Sequence, residues 1–467
     1  MAKSLTQPGP AVNLLGNKQM RKHDLIPAVI GKDGRTSAIE RCLRESMRVH
    51  ESVRNGKQRL RLAEWKSERN PKETALRRAL ELKPDFVIVG PEQPLEEGIV
   101  DELQNKLGIP CIGPARSLAR LEFSKAFTRE LLTEHNIAGN PEYRVFHNTN
   151  GLESYLKKLG DYVVKPDGLT GGKGVKISNV HLFSREEAIG YCRELLSQKH
   201  PAVIIEEKLD GEEFSLQSFC DGTHVRHMVV VQDHKRAADG DTGPNTGGMG
   251  SYSCANHSLP FLSPHHLREA QSINEAVAGA LFKQTKKRYK GILYGGFMAT
   301  RSGVRLIEYN ARFGDPEALN VLSVLKTDLV DICEAIIEER LHQLPISFER
   351  LATVCKYIVP EGYPEKPLRG KEIDLSKVPN ESQKLRIYHA GVERKGGKYY
   401  LSGSRAIAFV GIGKNLEEAQ EISEEAASAA QGPVFHRKDI GTRELIQHRI
   451  DHMRALQTKE GPKTFVG

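Results

Sequence analysis

Between Asp161 and Val175 a short apolar strand runs into DGLTGGKGV, where four glycines stand within seven residues around Lys173. Glycine inside a regular element costs about 0.5–1 kcal/mol, so this stretch has to leave the strand as a loop. Backbone N–H groups free of side chains can crowd against phosphate oxygens, and Lys165 and Lys173 supply positive charge at the two ends of the turn. The spacing differs from GxxxxGK[ST], so a P-loop is excluded. On turn chemistry alone, a flexible hairpin accounts for the same glycines.

A chain of 467 residues divides into three or four domains at about 100–200 residues each. Residues 1–26 read as a polar, Pro/Gly-bearing arm. From 27 to 122 apolar runs alternate with helical stretches, at AVIGKDGRTSAIERCLRE, at DFVIVGPEQPLEEGIVDELQNKLG and near Cys111, which predicts a small parallel α/β domain. The turn at Gly31–Ser37 opens a helix that could hold an anion. Inside this domain Arg41 to Arg78 is rich in charge and carries the lone Trp65; it reads as a solvated helical hairpin on the flank. Residues 123–335 form a central domain, 336–450 a separate α+β domain with strands at RIYHAGV and RAIAFVGI and a helix from near Leu416, and 451–467 a tail.

With 39% hydrophobic and 27% charged residues, and no apolar run near ~20 residues, the chain is neither disordered nor membrane-spanning. The seven cysteines have no metal-site spacing and read as reduced thiols, which points to the cytoplasm. A net charge of +8 suits phosphorylated small molecules, and no nucleic acid or membrane partner is expected; the chain reads as a monomer.

Three further segments carry chemistry. In VIIEEKLDGEEFSL a strand ends in Glu206 and Glu207, followed by Glu213; carboxylates or neighbouring backbone there can meet an adenine amine or ribose hydroxyls. In QDHKRAADGDTGPNTGGMGSY, Asp233, His234, Lys235 and Arg236 precede a glycine-rich loop that suits close approach to a substrate; His234 reads as structural. In VRLIEYNARFGDPEALN, strand alternation puts Glu308 and Asn310 on one face, a pair of oxygen ligands suited to Mg²⁺ beside nucleotide phosphates. Arg312 follows, with a planar fork of donors for an anion.

Taken in order, these segments describe one nucleotide site, and the chain resembles the phosphoribosylamine–glycine ligase (glycinamide ribonucleotide synthetase) family of ATP-grasp enzymes. The resemblance rests on GPEQPL, SKAF, VKPDGLTGGKGV, IEEKLDGEEFS, QDHKRAADGDTGPNTGGMGSYS, LYGGFM, IEYNARFGDPE, YHAGV and HRKDIGTR. It implies an α/β and α+β multidomain fold with an N-terminal substrate-amine domain, ATP-grasp central domains and a small C-terminal α+β domain. It further implies ligation of glycine to 5-phosphoribosylamine through glycyl phosphate, with ATP as substrate and Mg²⁺ or Mn²⁺ as cofactor. Lys125, Lys165 and the loop Gly168, Gly171, Gly172, Lys173 and Gly174 would hold ATP phosphates; Glu206, Glu207 and Leu209 would meet adenine, and Glu213 the ribose. Glu308 and Asn310 would bind the metal, and Arg312 and Lys235 would be catalytic. Gly34, Arg35, Glu92, Asp233, Asp241, Asp315, Pro316 and Glu317 would line the substrate side.

The departure lies at Gly31–Ala38. The family's GxGGREHA is GKDGRTSA here, and the following PGNAGT-like strand and turn is not recognisable. Two other readings stay open on sequence alone: an ATP-grasp ligase with a different amine, and a non-catalytic nucleotide-binding regulator.

Overall fold

A computed structural model describes residues 24–58, 60–65, 68–170, 174–198 and 200–458. Most of the predicted arm and the end of the predicted tail lie outside these residues. The first layer is a four-stranded parallel sheet in the order Arg61–Ala63, Pro27–Ile30, Phe86–Val89, Cys111–Ile112. Its two middle strands are buried along their whole length, as strands covered by helices on both faces must be.

The charged segment between the first two units corrects the sequence reading. It supplies an edge strand of this sheet, Arg61–Ala63, and Trp65 is 3% exposed in the core beside Leu60 and Leu62. The alternation Arg-Leu-Arg-Leu-Ala turns the leucines inward while Arg61 pairs outward with Glu40 and Glu64. Charge density hid a period-two strand in the place where the family's second strand is expected.

Two antiparallel sheets build the centre. One, Val225–His227, Gly211–Asp221, Lys290–Thr300, Gly303–Asn310, is the floor. The other, Tyr143–Phe146, Val203–Glu207, Tyr162–Pro166, Lys176–Ile177, has its own small core and is joined to the floor through Lys208–Asp210. We call it the lid sheet.

The C-terminal region is not separate. Strands Gln232–Asp233 and Gly250–Ser253, from either side of the glycine-rich substrate loop, pair onward to Ala352–Pro360, Ile407–Gly413 and Leu385–His389. A boundary drawn by sequence order therefore cuts one sheet in two. Helix Leu329–Ile337 runs across residue 335, and helix Arg443–Thr458 runs across residue 450, burying Ile446, Met453 and Leu456. The latter's amphipathic face makes the start of the predicted tail part of the packed molecule.

Candidate functional site

The nucleotide side is organised by a buried guanidinium. Arg129, on helix Lys125–Glu134, holds Glu206 of the lid sheet through Nε–Oε1 at 2.7 Å and Nη2–Oε2 at 2.9 Å. It also donates to the carbonyls of Leu306 and Ile307 at 2.9 and 2.8 Å, on the strand that carries Glu308. Lys165 completes the cluster, 2.6 Å from Glu206 Oε2 and donating to the Ile307 carbonyl at 3.2 Å. Burial pushes the Glu206 carboxyl upward, but Arg129 and Lys165 outweigh it and bring its pKa to about 2. Burial, and then Arg129, draw the Lys165 ammonium below its ordinary pKa.

Lys125 opens its helix behind the Ser124 cap and donates to the Gly168 carbonyl at 3.0 Å. Asp167 accepts from Ser124 Oγ and Ala126 N, tying the start of the glycine-rich loop to the same helix. Gly168 and Gly174 take φ of +112° and +92°, a region costly for side-chain-bearing residues. Gly171, Gly172 and Lys173 lie outside the described residues. Glu207 accepts from the Glu142 N–H, and Leu209 sits half-buried on the link between lid and floor. The Glu206 side chain is thus committed to cations.

At the centre, Glu308 and Asn310 share a face of strand Gly303–Asn310, with buried Tyr309 on the other. The Glu308 side chain makes no hydrogen bond or ion pair with any described residue. Burial would raise its pKa, yet Lys235, Lys125, Lys165 and Arg312 together hold it below the ordinary range. An ionised carboxylate facing cations without contacting them leaves oxygens free for a further ligand. Lys235 is 3.1 Å from Glu213 Oε2, and Glu213, with Glu308 and Asp233, raises its pKa. Lys235 therefore stands where the ribose, metal and substrate assignments meet.

The substrate side is assembled from distant segments. Arg312 is paired with Glu122 at 2.9 Å and lies 3.6 Å from Glu92. Glu122 also accepts from Ala311 N. Glu92 reaches toward Arg35 as well, at 3.9 Å. Asp315 is buried; it accepts from Tyr357 Oη at 2.7 Å and from Arg35 N at 3.3 Å, and pairs with Arg405 at 3.2 Å. Burial raises its pKa, and Arg405 and Arg35 more than reverse that. Pro316 follows across a cis peptide and precedes helix Glu317–Ser323, where Glu317 accepts from Tyr294 Oη at 2.6 Å. Asp233 is half-buried with Oδ1 lacking a partner among the described residues; burial and then Glu317 push its pKa well up. Gly248, at φ +105°, is wedged so that a Cβ would lie 2.5 Å from Asp233 Oδ1 and 2.6 Å from Pro316 Cδ.

Two expectations change. The helix Gly34–Glu45 is capped by Asp33, which accepts from Thr36 N and Thr36 Oγ1, so the expected anion site at this start is filled by the chain's own carboxylate. Arg35 is turned inward, 2.7 Å from Asp33 and donating to the Phe313 carbonyl at 2.9 Å. Gly34 packs beneath Tyr357, where a Cβ would come within 1.9 Å of the hydroxyl. Asp241 is held by Arg437 at 2.9 Å and by Arg449, so it anchors the substrate loop to the C-terminal helix. His234 is 2% exposed, and burial and Arg437 lower its pKa to about 3, in keeping with a structural role.

Arg129, Glu122, Tyr357 and Arg405 were not found from sequence. Each works through a partner far away in the chain, so no local pattern marked it.

Three family models match the chain: Phosphoribosylglycinamide synthetase N domain over residues 28–122, ATP-grasp (A) domain over 123–318, and C domain over 353–443. The chain is 44% identical over 435 residues to a phosphoribosylamine–glycine ligase of Methanocella arvoryzae, covering 92% of this chain and 99% of that one. The solved phosphoribosylamine–glycine ligase of Thermotoga maritima superposes with a TM-score of 0.73 at 27% identity, over 88% of this chain and 99% of that one. The biotin carboxylase domain of the Hydrogenobacter thermophilus 2-oxoglutarate carboxylase, solved with MgADP, shares the fold at a TM-score of 0.67 and 17% identity, over 92% and 94%.

Proposed function

The chain belongs to the phosphoribosylglycinamide synthetase family, and on that premise we propose how its residues divide the work. It is an ATP-grasp carbon–nitrogen ligase of purine biosynthesis that joins glycine to 5-phosphoribosylamine with ATP as substrate. A glycine carboxylate oxygen attacks the γ-phosphorus, and the bond to the bridging oxygen breaks to release ADP. The amine nitrogen then attacks the acyl carbon of glycyl phosphate, phosphate leaves, and the nitrogen sheds a proton to give glycinamide ribonucleotide. No side-chain nucleophile is needed; the chemistry is positioning and charge stabilisation.

The observation that carries this assignment is that Lys165 reaches the Ile307 carbonyl beside Glu308 while the Glu308 side chain bonds to no described residue and nearby lysines hold its pKa down. Lys125, Lys165 and the Gly168–Gly174 loop bind the phosphates, the Glu206–Leu209 backbone meets adenine, and Glu213 meets the ribose. Glu308 and Asn310 fit Mg²⁺ or Mn²⁺, since a carboxylate and an amide on one face leave the remaining positions to phosphate and water. When bound, the cation would neutralise charge on the transferred phosphoryl group. Lys235 and Arg312 face the same charge from the substrate side. Asp233 and Glu317 repel each other, and a cation such as the glycine ammonium relieves that repulsion. Gly34, Arg35, Glu92, Asp315 and Pro316 shape the amine side. All seven cysteines are free, which supports a cytoplasmic setting, and no helix among the described residues is long and apolar enough to cross a membrane.

Measuring ADP release with glycine, with and without freshly generated 5-phosphoribosylamine, tests the reading. Release that depends on both is the expected result. Release indifferent to phosphoribosylamine but driven by another amine would move the chain to a different ligase.

A further inference from the structure

We propose that Arg405, contributed by the C-terminal region, is a positioning residue that sets the substrate side of the site by clamping the glycine-rich loop against the turn at Asp315. The proposal rests on the ligase reading above and deepens it.

The guanidinium is buried to 12% exposure of the side chain and reaches four oxygens on the two segments assigned above to the substrate side. Nη1 donates to the carbonyls of Gly247 at 2.5 Å, Gly248 at 3.0 Å and Asp315 at 2.8 Å, and Nη2 lies 3.2 Å from Asp315 Oδ1. The Arg405 Cζ lies over the Tyr357 ring, 4.7 Å from the centroid, and Tyr357 Oη donates to the same Asp315 oxygen. Three carbonyls, a carboxylate and the neighbouring Asp233 would repel one another if brought together without a cation. One planar fork holds them, and a lysine ammonium has neither the reach nor the donor geometry to do so.

The clamp fixes more than backbone. Gly248 is the residue jammed between Asp233 and Pro316, so holding its carbonyl fixes the spacing between the two acidic segments that face glycine. None of these contacts touches the lid sheet, Lys165 or Glu308. Arg405 is therefore expected to govern glycine and amine recognition while leaving the nucleotide side alone, a split that a merely stabilising residue would not produce.

The test compares Arg405→Met and Arg405→Lys with the wild-type chain, reading KM for glycine and for phosphoribosylamine, ATP affinity by calorimetry, and Tm. For Arg405→Met the KM of glycine should rise roughly tenfold to a hundredfold, the scale of losing a charged hydrogen-bonded contact, with ATP affinity changed by less than about twofold. Arg405→Lys should give the same split to a smaller degree. ATP affinity falling in parallel with glycine affinity, or an unchanged glycine KM, would overturn the proposal. If Arg405→Met fails to fold, Arg405→Lys decides: the split supports the clamp, and its absence sinks it. Wild-type ADP release that needs no glycine would instead overturn the ligase reading itself, which keeps the two failures apart.

Discussion

The nucleotide side and the substrate side use the same residue types, arginines buried against carboxylates, but they are wired differently. On the proposed nucleotide side Arg129, Glu206 and Lys165 join one helix, the lid sheet and the strand that carries Glu308, all between residues 125 and 310. On the substrate side Arg35, Glu92, Glu122, Asp315, Tyr357 and Arg405 come from every region of the chain. On the proposed assignment, the first arrangement would hold a nucleotide within one unit, and the second would complete the substrate side only when the regions are docked. The contrast implies that damage on the nucleotide side shows first in ATP handling, and damage on the substrate side in the other two substrates.

The strongest challenge to that division is the double variant Glu308→Gln with Asn310→Ala. It should lower turnover by roughly a thousandfold or more, the several kcal/mol that a bound divalent cation is worth, while Tm stays close to wild type. Near-normal activity would remove the metal strand from the nucleotide side. Next in size is Arg129→Ala, which leaves Glu206 buried beside Lys165 alone and should cost roughly 3–5 kcal/mol of stability by chemical denaturation. The same cluster has a pH signature. Glu206 titrates at about 2 in the folded chain against an ordinary 4.5, so its stabilisation is complete above 4.5 and is lost as pH falls from there toward 2. Acid titration of stability should show this loss in the wild type and a flatter profile in Glu206→Gln; identical slopes would deny Glu206 its two cations.

The two sides also differ in how far sequence could see them. Lys165, the glycine-rich loop, Glu308 and Asn310 are visible because a strand followed by permissive backbone, and two oxygens on one strand face, are local patterns. Asp315 and Glu317 were visible as residues, but not that Asp315 would be gripped by Arg405, 90 positions away. Arg129 lay inside an ordinary amphipathic helix, where nothing local marks a charge as buried. In the fold, Pro27–Ile30 and Phe86–Val89 read directly as buried parallel strands. Arg61–Ala63 was masked by its arginines, and the pairing of Gly250–Ser253 with Ala352–Pro360 crosses about 100 residues and leaves no local trace.

A sharper test of the nucleotide side alone is Lys165→Ala. Removing one charge-assisted phosphate contact should weaken ATP binding by about 1.5–3 kcal/mol, read by calorimetry, and leave the KM of glycine nearly unaltered. An equal shift in glycine would mean that the Glu206 cluster also orders the substrate side, and the division drawn above would fail.

The smallest expected effect probes the turn where this chain departs from its relatives' pattern. Asp33 stands where a glycine is usual, and its carboxylate caps the helix Gly34–Glu45 and pairs with buried Arg35. Asparagine caps a helix about as well as aspartate and its amide oxygen can still accept from Arg35, so Asp33→Asn keeps the cap, removes the charge, and should cost about 1 kcal/mol of stability. The substitution also asks where the 5-phosphate of phosphoribosylamine sits. A phosphate approaching this helix start would be repelled by Asp33, and losing the charge would then lower the amine's KM severalfold while ATP and glycine constants stay put. Because Asp33 already fills the start and Arg35 donates inward to Phe313, the expected result is an amine KM that does not move. A selective drop would return the phosphate to the helix start and would make Asp33 a built-in brake on amine affinity rather than a cap alone.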